Sequence, residues 1–266
     1  MKLTNRRFYV LSHERSGTHF LINTLSKNLW VPDGNYYSVP DWFGGNRNGL
    51  RRHLRYQQSL LAQRLRPKQN GLIKSHPDRE LFESCYWKYP VVYIVRDPRD
   101  ALVSFWHHQR DPSSEAYIRR HNAQFSAHRF ERFSDFLRAP LSDFLKYTFS
   151  LRGDFANVAE RLAKHVAGWR AASNALVVRY EDLKAEPERI VEMVSQHLGI
   201  PRTREVRQVG VREMSSILPR KGVVGDFRNY LTAKDEAFLR AAWEAQGLSW
   251  EEDTLPAERF RQVALP

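Results

Sequence analysis

Phe8-Tyr9-Val10-Leu11-Ser12-His13-Glu14-Arg15-Ser16-Gly17-Thr18-His19-Phe20 is the stretch whose reading decides the fold. The apolar run 8–11 predicts a buried strand, and after a polar turn Phe20, Leu21, Leu25 and Leu29 recur at helical spacing. A strand, a turn containing Gly17 and a helix opening at Thr18 together make an anion site. The free N–H groups of the helix's first turn and its positive dipole end both face the turn. Arg15, Ser16 and Thr18 sit where they can close around a phosphate or sulfate. The plainer reading of the same residues is a helix start capped by Ser16 or Thr18.

The turn is not the usual nucleotide triphosphatase loop, which needs Gly, four residues and then Gly-Lys-Ser/Thr. Ser12, Gly17, Thr18 and His19 occupy those places, and Gly-x-Gly-x-x-Gly occurs nowhere in the chain. Further segments add weight to the anion-site reading. Residues 91–95 form a second apolar strand, followed by Arg96-Asp97-Pro98-Arg99-Asp100 and a helix-compatible run through Ser104. Pro98 suits a first helical position, where its missing N–H is not needed. Arg96 at the strand end and Ser104 two turns on are placed for a second phosphate. Arg220-Lys221-Gly222-Val223-Val224-Gly225-Asp226-Phe227 sets two cations beside glycines that let backbone approach an anion.

With these segments in hand, the chain resembles the cytosolic-type sulfotransferases, which use 3′-phosphoadenosine 5′-phosphosulfate (PAPS) and release 3′-phosphoadenosine 5′-phosphate (PAP). Arg15 to Phe20 is similar to that family's 5′-phosphosulfate loop, and Val92 to Asp100, through Ser104, to its 3′-phosphate strand and helix. Lys74-Ser75-His76 resembles its Lys-Thr-His strand end, Arg179-Tyr180-Glu181-Asp182-Leu183 its Tyr-Glu-Asp segment, and Arg220 to Phe227 its Arg-Lys-Gly-x-x-Gly-Asp signature. The motifs fall in the family's order from about residue 8 to 232. Arg15 stands where the family usually has lysine, His13-Glu14 where it has Tyr-Pro, and Phe227 where it has tryptophan.

The resemblance implies an α/β fold with a central parallel sheet flanked by helices, like that of P-loop nucleotide triphosphatases. It implies a single domain over 1–266, with a core of about 6–248 and a tail of about 249–266. It implies in-line sulfuryl transfer from PAPS to an acceptor hydroxyl or amine. His76 would act as general base, with Lys74, Arg15 and Ser104 beside it at the reacting centre. Ser16, Gly17, Thr18 and His19 would line the 5′-phosphate, while Arg96, Ser104, Arg220, Lys221 and Gly222 would hold the 3′-phosphate. Phe20 would stack near the adenine, and Tyr180 would touch its side. Phe20 equally fits the helix's apolar face, and His13, His107 and His108 read as structural.

Bulk properties agree. The 266 residues suit one large α/β domain, and no apolar run reaches the roughly twenty residues of a membrane span. A single cysteine, Cys85, fits a reducing compartment, so a cytoplasmic location is expected. The net charge of +12 favours a polyanionic ligand, but without any nucleic-acid motif no nucleic-acid partner is expected. Neither His-Glu-x-x-His nor Cys-x-x-Cys occurs, so no metal is expected.

Strands are expected at about 8–12, 71–75, 91–95 and 175–180, and helices over 154–171, 187–198 and 233–245, the first carrying Phe155, Val158, Leu162, Val166 and Trp169 as one stripe. Segments 31–53 and 109–133 read as loops, which in the resembled family help to shape the acceptor pocket. The acceptor stays open among small molecules, lipids and carbohydrates. Two other readings also stay open: a P-loop kinase of small molecules or sugars, and a nucleotide-binding homologue without turnover.

Overall fold

The computed structural model describes residues 7–29, 31, 36–38, 71–85, 89–110, 130–140, 155–207, 209 and 222–254. Five strands form one parallel sheet: β1 (Arg7–Ser12), β2 (Tyr36–Ser38), β3 (Gly71–Ser75), β4 (Val91–Val95) and β5 (Ala175–Arg179). The helices are α1 (Thr18–Asn28), α2 (Arg79–Cys85), α3 (Pro98–Arg110), α4 (Phe133–Arg138), α5 (Val158–Arg170), α6 (Tyr180–Ala185), α7 (Pro187–Leu198), α8 (Ala233–Glu244) and α9 (Trp250–Asp253), with a 3-10 turn at Asp226–Asn229.

The strand order is β2-β3-β1-β4-β5. Successive strands run to one side of β1 and then to the other, so the order reverses beside β1. In parallel sheets of this kind the crevice at such a reversal, outside the carboxyl ends of the strands, is where ligands bind. The register aligns those ends: Leu11 lies opposite Ser75, Ser12 opposite Ile94, and Val95 opposite Arg179.

Both faces of the sheet are covered, and for that reason β1 and β4 are nearly continuous apolar runs rather than alternating ones. Phe8, Val10, Val92 and Ile94 pack under Leu21, Leu25, Val191 and Val194 of α1 and α7. Tyr9, Leu11, Tyr93 and Val95 face the other way, onto Leu102, Phe105, Leu162, Val166 and Trp169 of α3 and α5. Each fully buried Val, Leu, Ile or Phe contributes about 1.5–3 kcal/mol, so the sheet that carries the crevice is held by a large apolar core.

The structure shifts several expected boundaries. The stripe over 154–171 is helical only from Val158, because Asn157 caps the helix by accepting the Glu160 N–H at 3.0 Å, leaving Phe155 outside. The strand expected over 175–180 stops at Arg179, and Tyr180 opens α6. Within 31–53, Tyr36–Ser38 pairs with β3 as an edge strand. Within 109–133, residues 109 and 110 complete α3 and Phe133 begins α4, while 111–129 lie outside the described residues. No helix among the described residues is long and apolar enough to cross a membrane.

Candidate anion-binding and transfer site

The turn between β1 and α1 is built on two left-handed residues. Arg15 has φ 67° and Gly17 has φ 98°. A left-handed arginine is costly by roughly 1–2 kcal/mol, and strain of that kind gathers at functional sites. Gly17 is itself the N-cap of α1, with no side-chain cap, so neither Ser16 nor Thr18 caps the helix. Thr18 Oγ1 instead bonds Ser12 Oγ at 2.5 Å. The first turn of α1 contains no acidic residue, so its positive end faces the crevice without a competing carboxylate.

His76 stands just past β3 and turns toward the β1 end. Its Nδ1 lies 2.8 Å from the Ser12 carbonyl oxygen and 3.1 Å from Ser12 Oγ. A carbonyl oxygen only accepts, so Nδ1 carries the proton and the ring's lone pair is on Nε2. Lys74, two residues earlier on β3, and His76 both lie close enough to His19 to act on its charge. His19 on α1 faces this group. Burial first, then its nearness to Lys74, His76 and Arg15, pushes its imidazole down to about 3. Two cations, Lys74 and Arg15, and two imidazoles, His76 and His19, therefore stand together, a setting that suits an anion.

The second half of the site meets the first around the ring of Tyr180. A Cβ built on Gly17 would lie 2.4 Å from Tyr180 Cδ2, so the loop backbone rests directly on that ring. The Arg96 guanidinium sits 4.7 Å from the ring centroid, and the Phe20 ring is 5.4 Å away. Tyr180 donates its hydroxyl to the Gly222 carbonyl at 3.1 Å, and Lys184 Nζ donates to the same oxygen at 2.9 Å. Arg96 donates to the Val223 carbonyl at 2.8 Å, and Asp100 accepts the N–H groups of Gly225 and Phe227 at 2.7 and 3.1 Å.

Among the described residues the buried Arg96 Nε has no acceptor, while another nitrogen of the same guanidinium lies 3.6 Å from Asp100. A buried, unsatisfied charged donor is the feature expected where an anionic oxygen belongs. Across the crevice, Arg15 Nε donates to Ser104 Oγ at 3.4 Å and ties the loop to α3. The structure therefore brings together Arg15, Gly17, Thr18, His19, Lys74 and His76, and links them through Tyr180 to Arg96 and Gly222. Phe20 is buried in the α1 face of the core as well as touching Tyr180. Arg220 and Lys221 lie outside the described residues.

Sequence reasoning missed two features. Lys184 on α6 had no motif to flag it. Glu14 and His13 read as mere departures from a pattern, yet both bond Arg161, 147 and 148 residues away. Signs of this pairing were present in the sequence only as a carboxylate in a turn and an arginine in the helical stripe.

Glu181, beside Tyr180, accepts the Asp97 N–H through Oε1 at 2.9 Å. Burial, followed by the nearby Asp97 carboxylate, raises it from the ordinary glutamate value of 4.5 to about 7, outweighing the pull of Arg179. The folded value lies above the unfolded one. Stability from neutral Glu181 is therefore complete below about pH 4.5 and is lost as pH rises through about 7. Glu181→Gln should stabilise the fold at pH 8 by up to about 3 kcal/mol, the equivalent of that shift, with the gain fading toward pH 4. Urea unfolding across that range measures it, and a gain independent of pH would refute the assignment.

A parallel α/β sheet with a strand–turn–helix loop at its switch point defines the fold class. The chain matches the sulfotransferase-domain family model over residues 5–250 and belongs to that family. Among curated proteins it is similar to human sulfotransferase 2B1, 24% identical over 288 residues covering 92% of this chain and 68% of that one. It is also similar to sulfotransferase 2A1 of Macaca fascicularis, 26% identical over 267 residues covering 86% and 80%, and to the 3-alpha-hydroxysteroid sulfotransferase of Cavia porcellus, 27% identical over 213 residues covering 67% and 66%.

The fold is shared with mouse sulfotransferase SULT7A1 complexed with PAP, at TM-score 0.59 and 18% identity, covering 98% of this chain and 90% of that one. Retinol dehydratase in complex with retinol and PAP follows at TM-score 0.56 and 16% identity, covering 92% and 82%.

Proposed function

We propose that this chain transfers the sulfuryl group of PAPS to a hydroxyl of a small-molecule acceptor, in the cytoplasm, with His76 as general base. The observation that carries the reading is that the Arg15–Gly17 turn lies between His76, which bonds Ser12 at the end of β1, and Arg96, which lies over the Tyr180 ring that Gly17 rests on. The arrangement fits a nucleotide with an anion at each end: the left-handed loop and the positive end of α1 suit a 5′-phosphosulfate, and the orphaned Arg96 Nε suits a 3′-phosphate.

PAPS supplies an SO3 group on a good leaving phosphate. The chain's residues supply position and charge. His76 Nε2 takes the acceptor's proton as the new S–O bond forms, its ring oriented by the Ser12 carbonyl. The bond between sulfur and the phosphate's bridging oxygen breaks, and that oxygen keeps the electron pair. Arg15 and Lys74 neutralise the charge that gathers there. Arginine holds its proton under all ordinary conditions, so its part is electrostatic. Ser16, Thr18 and His19 line the 5′ end, and Ser104, Arg96 and Gly222, together with Arg220 and Lys221, hold the 3′ end. Phe20 and Tyr180 offer the adenine an aromatic wall. No step calls for a metal.

Relatives that act on a 3-alpha-hydroxysteroid or hold retinol make alcohols on apolar skeletons the first acceptors to try. The test incubates the chain with labelled PAPS, and separately with labelled ATP, over a panel of hydroxysteroids, other alcohols, phenols, amines and glycans. Label should move from PAPS to a hydroxyl. Transfer from ATP alone would overturn the proposal in favour of a kinase, and tight PAP binding without transfer to any acceptor would leave only a binding protein.

A further inference from the structure

Helix α5 presents Arg161, His165 and Trp169 at four-residue spacing, hence on one face. Each bonds a different piece of the candidate site from behind. The Arg161 guanidinium grips Glu14 with both arms, NH1 to Oε2 at 2.9 Å and NH2 to Oε1 at 3.0 Å, and NH1 also reaches His13 Nε2 at 2.7 Å. His165 Nε2 bonds the His76 carbonyl at 3.3 Å while its Nδ1 meets the Tyr93 hydroxyl at 2.9 Å. Trp169 Nε1 donates to the Pro77 carbonyl at 2.9 Å.

The protonation states follow from these partners. A guanidinium only donates, so His13 Nε2 accepts and its proton is on Nδ1, where it meets the Glu14 carbonyl at 3.0 Å. His13 is therefore neutral, in keeping with burial that lowers its pKa well below the usual value. Burial alone would raise the Glu14 carboxyl, yet Arg161 holds it below the ordinary carboxylate range. Glu14 and Arg161 thus form a bidentate ion pair with Arg161 buried, 2% exposed. Such a pair is geometrically demanding, which suits it to fixing a conformation rather than to adding stability.

What it fixes is the turn. Glu14 is anchored on the α5 side, and the next residue, Arg15, takes the left-handed conformation that carries its side chain across to Ser104 on α3. Without the anchor, an arginine at φ 67° has a strong local preference to relax. We infer that the Glu14–Arg161 pair is the positioning device of the anion loop, holding Arg15 and the first turn of α1 in place for the nucleotide's 5′ end. This rests on the proposed PAPS site. Glu14 and Arg161 are positioning residues, acting through Arg15 rather than on the ligand.

The test separates the two ends of the nucleotide. PAP, 5′-AMP and 3′-AMP are titrated calorimetrically against the wild-type chain and the double variant Glu14→Leu/Arg161→Met. The double variant removes both charges, so the fold is not left burying one alone. Affinity for PAP and 5′-AMP should fall roughly tenfold or more, as expected when charged hydrogen bonds lose their alignment, while 3′-AMP binding stays at the wild-type level. Glu14→Gln, which keeps an acceptor for the guanidinium, should fall between the two, and it carries the same comparison if the double variant does not fold. Unchanged 5′-AMP affinity, or equal loss for 3′-AMP and 5′-AMP, would overturn the inference. Absence of PAP binding to the wild-type chain would remove the reading beneath it, and the inference with it.

Discussion

His76→Ala should lower turnover by about 10²- to 10⁴-fold, the usual contribution of a positioned base, and leave PAP affinity near the wild-type value. His76 bonds the Ser12 carbonyl through Nδ1–H at 2.8 Å, which fixes the tautomer and puts the lone pair on Nε2. The register that places Leu11 opposite Ser75 then sets this ring beside the β1–α1 turn, where the transferring group would lie. Alanine removes the proton acceptor but leaves the Arg15 turn, the α1 amides and Arg96 untouched, so rate and binding should separate. Labelled transfer at saturating PAPS, paired with PAP titration, measures both. Turnover that survives the substitution would take His76 out of the mechanism, and a loss of PAP affinity equal to the loss of rate would make it a binding residue.

The sequence carries some levels of this structure openly and others hardly at all. Buried parallel strands are legible because both faces are covered, so 8–11 and 91–95 read as apolar runs with no competing helical period. The convergence of Arg15, Lys74, His76, Arg96 and Tyr180 is legible for a related reason: each stands at the carboxyl end of a strand, and a parallel sheet gathers those ends. The N-cap of α1 was not. Hydroxyls at Ser16 and Thr18 suggest a side-chain cap, but Gly17 at φ 98° caps the helix by backbone alone and frees Thr18 to bond Ser12.

Strand β2 was hidden for a different reason. An edge strand of three residues shows no periodicity, and only its pairing with Leu72, Ile73 and Lys74 defines it. The Glu14–Arg161 pair was hidden by distance along the chain, since nothing local in either segment signals the other. Arg220 and Lys221, expected from the sequence to hold the 3′-phosphate, lie outside the described residues, whereas Arg96 and Gly222 of the same set are described.

Gly17→Ala should be nearly as damaging as loss of the base, and by a wholly different route. The left-handed φ of 98° is penalised for any residue with a Cβ, and the new methyl would lie 2.4 Å from Tyr180 Cδ2. The ring cannot simply yield. Its hydroxyl bonds Gly222, its face carries Arg96 at 4.7 Å, and its edge meets Phe20. Displacing it would give up a hydrogen bond and a cation–π contact as well as straining the backbone, together roughly 3 kcal/mol. Because Tyr180 joins the loop to Arg96, both ends of the nucleotide should be affected. PAP affinity is expected to fall about 10²-fold, and 3′-AMP and 5′-AMP should weaken alike, unlike the one-sided loss expected from the Glu14–Arg161 variants. Adding Tyr180→Leu to Gly17→Ala relieves the collision but not the φ strain, so thermal stability should recover in part while affinity does not. A Gly17→Ala chain that bound PAP as the wild type does would show that the loop backbone and the Tyr180 ring are not two walls of one nucleotide site.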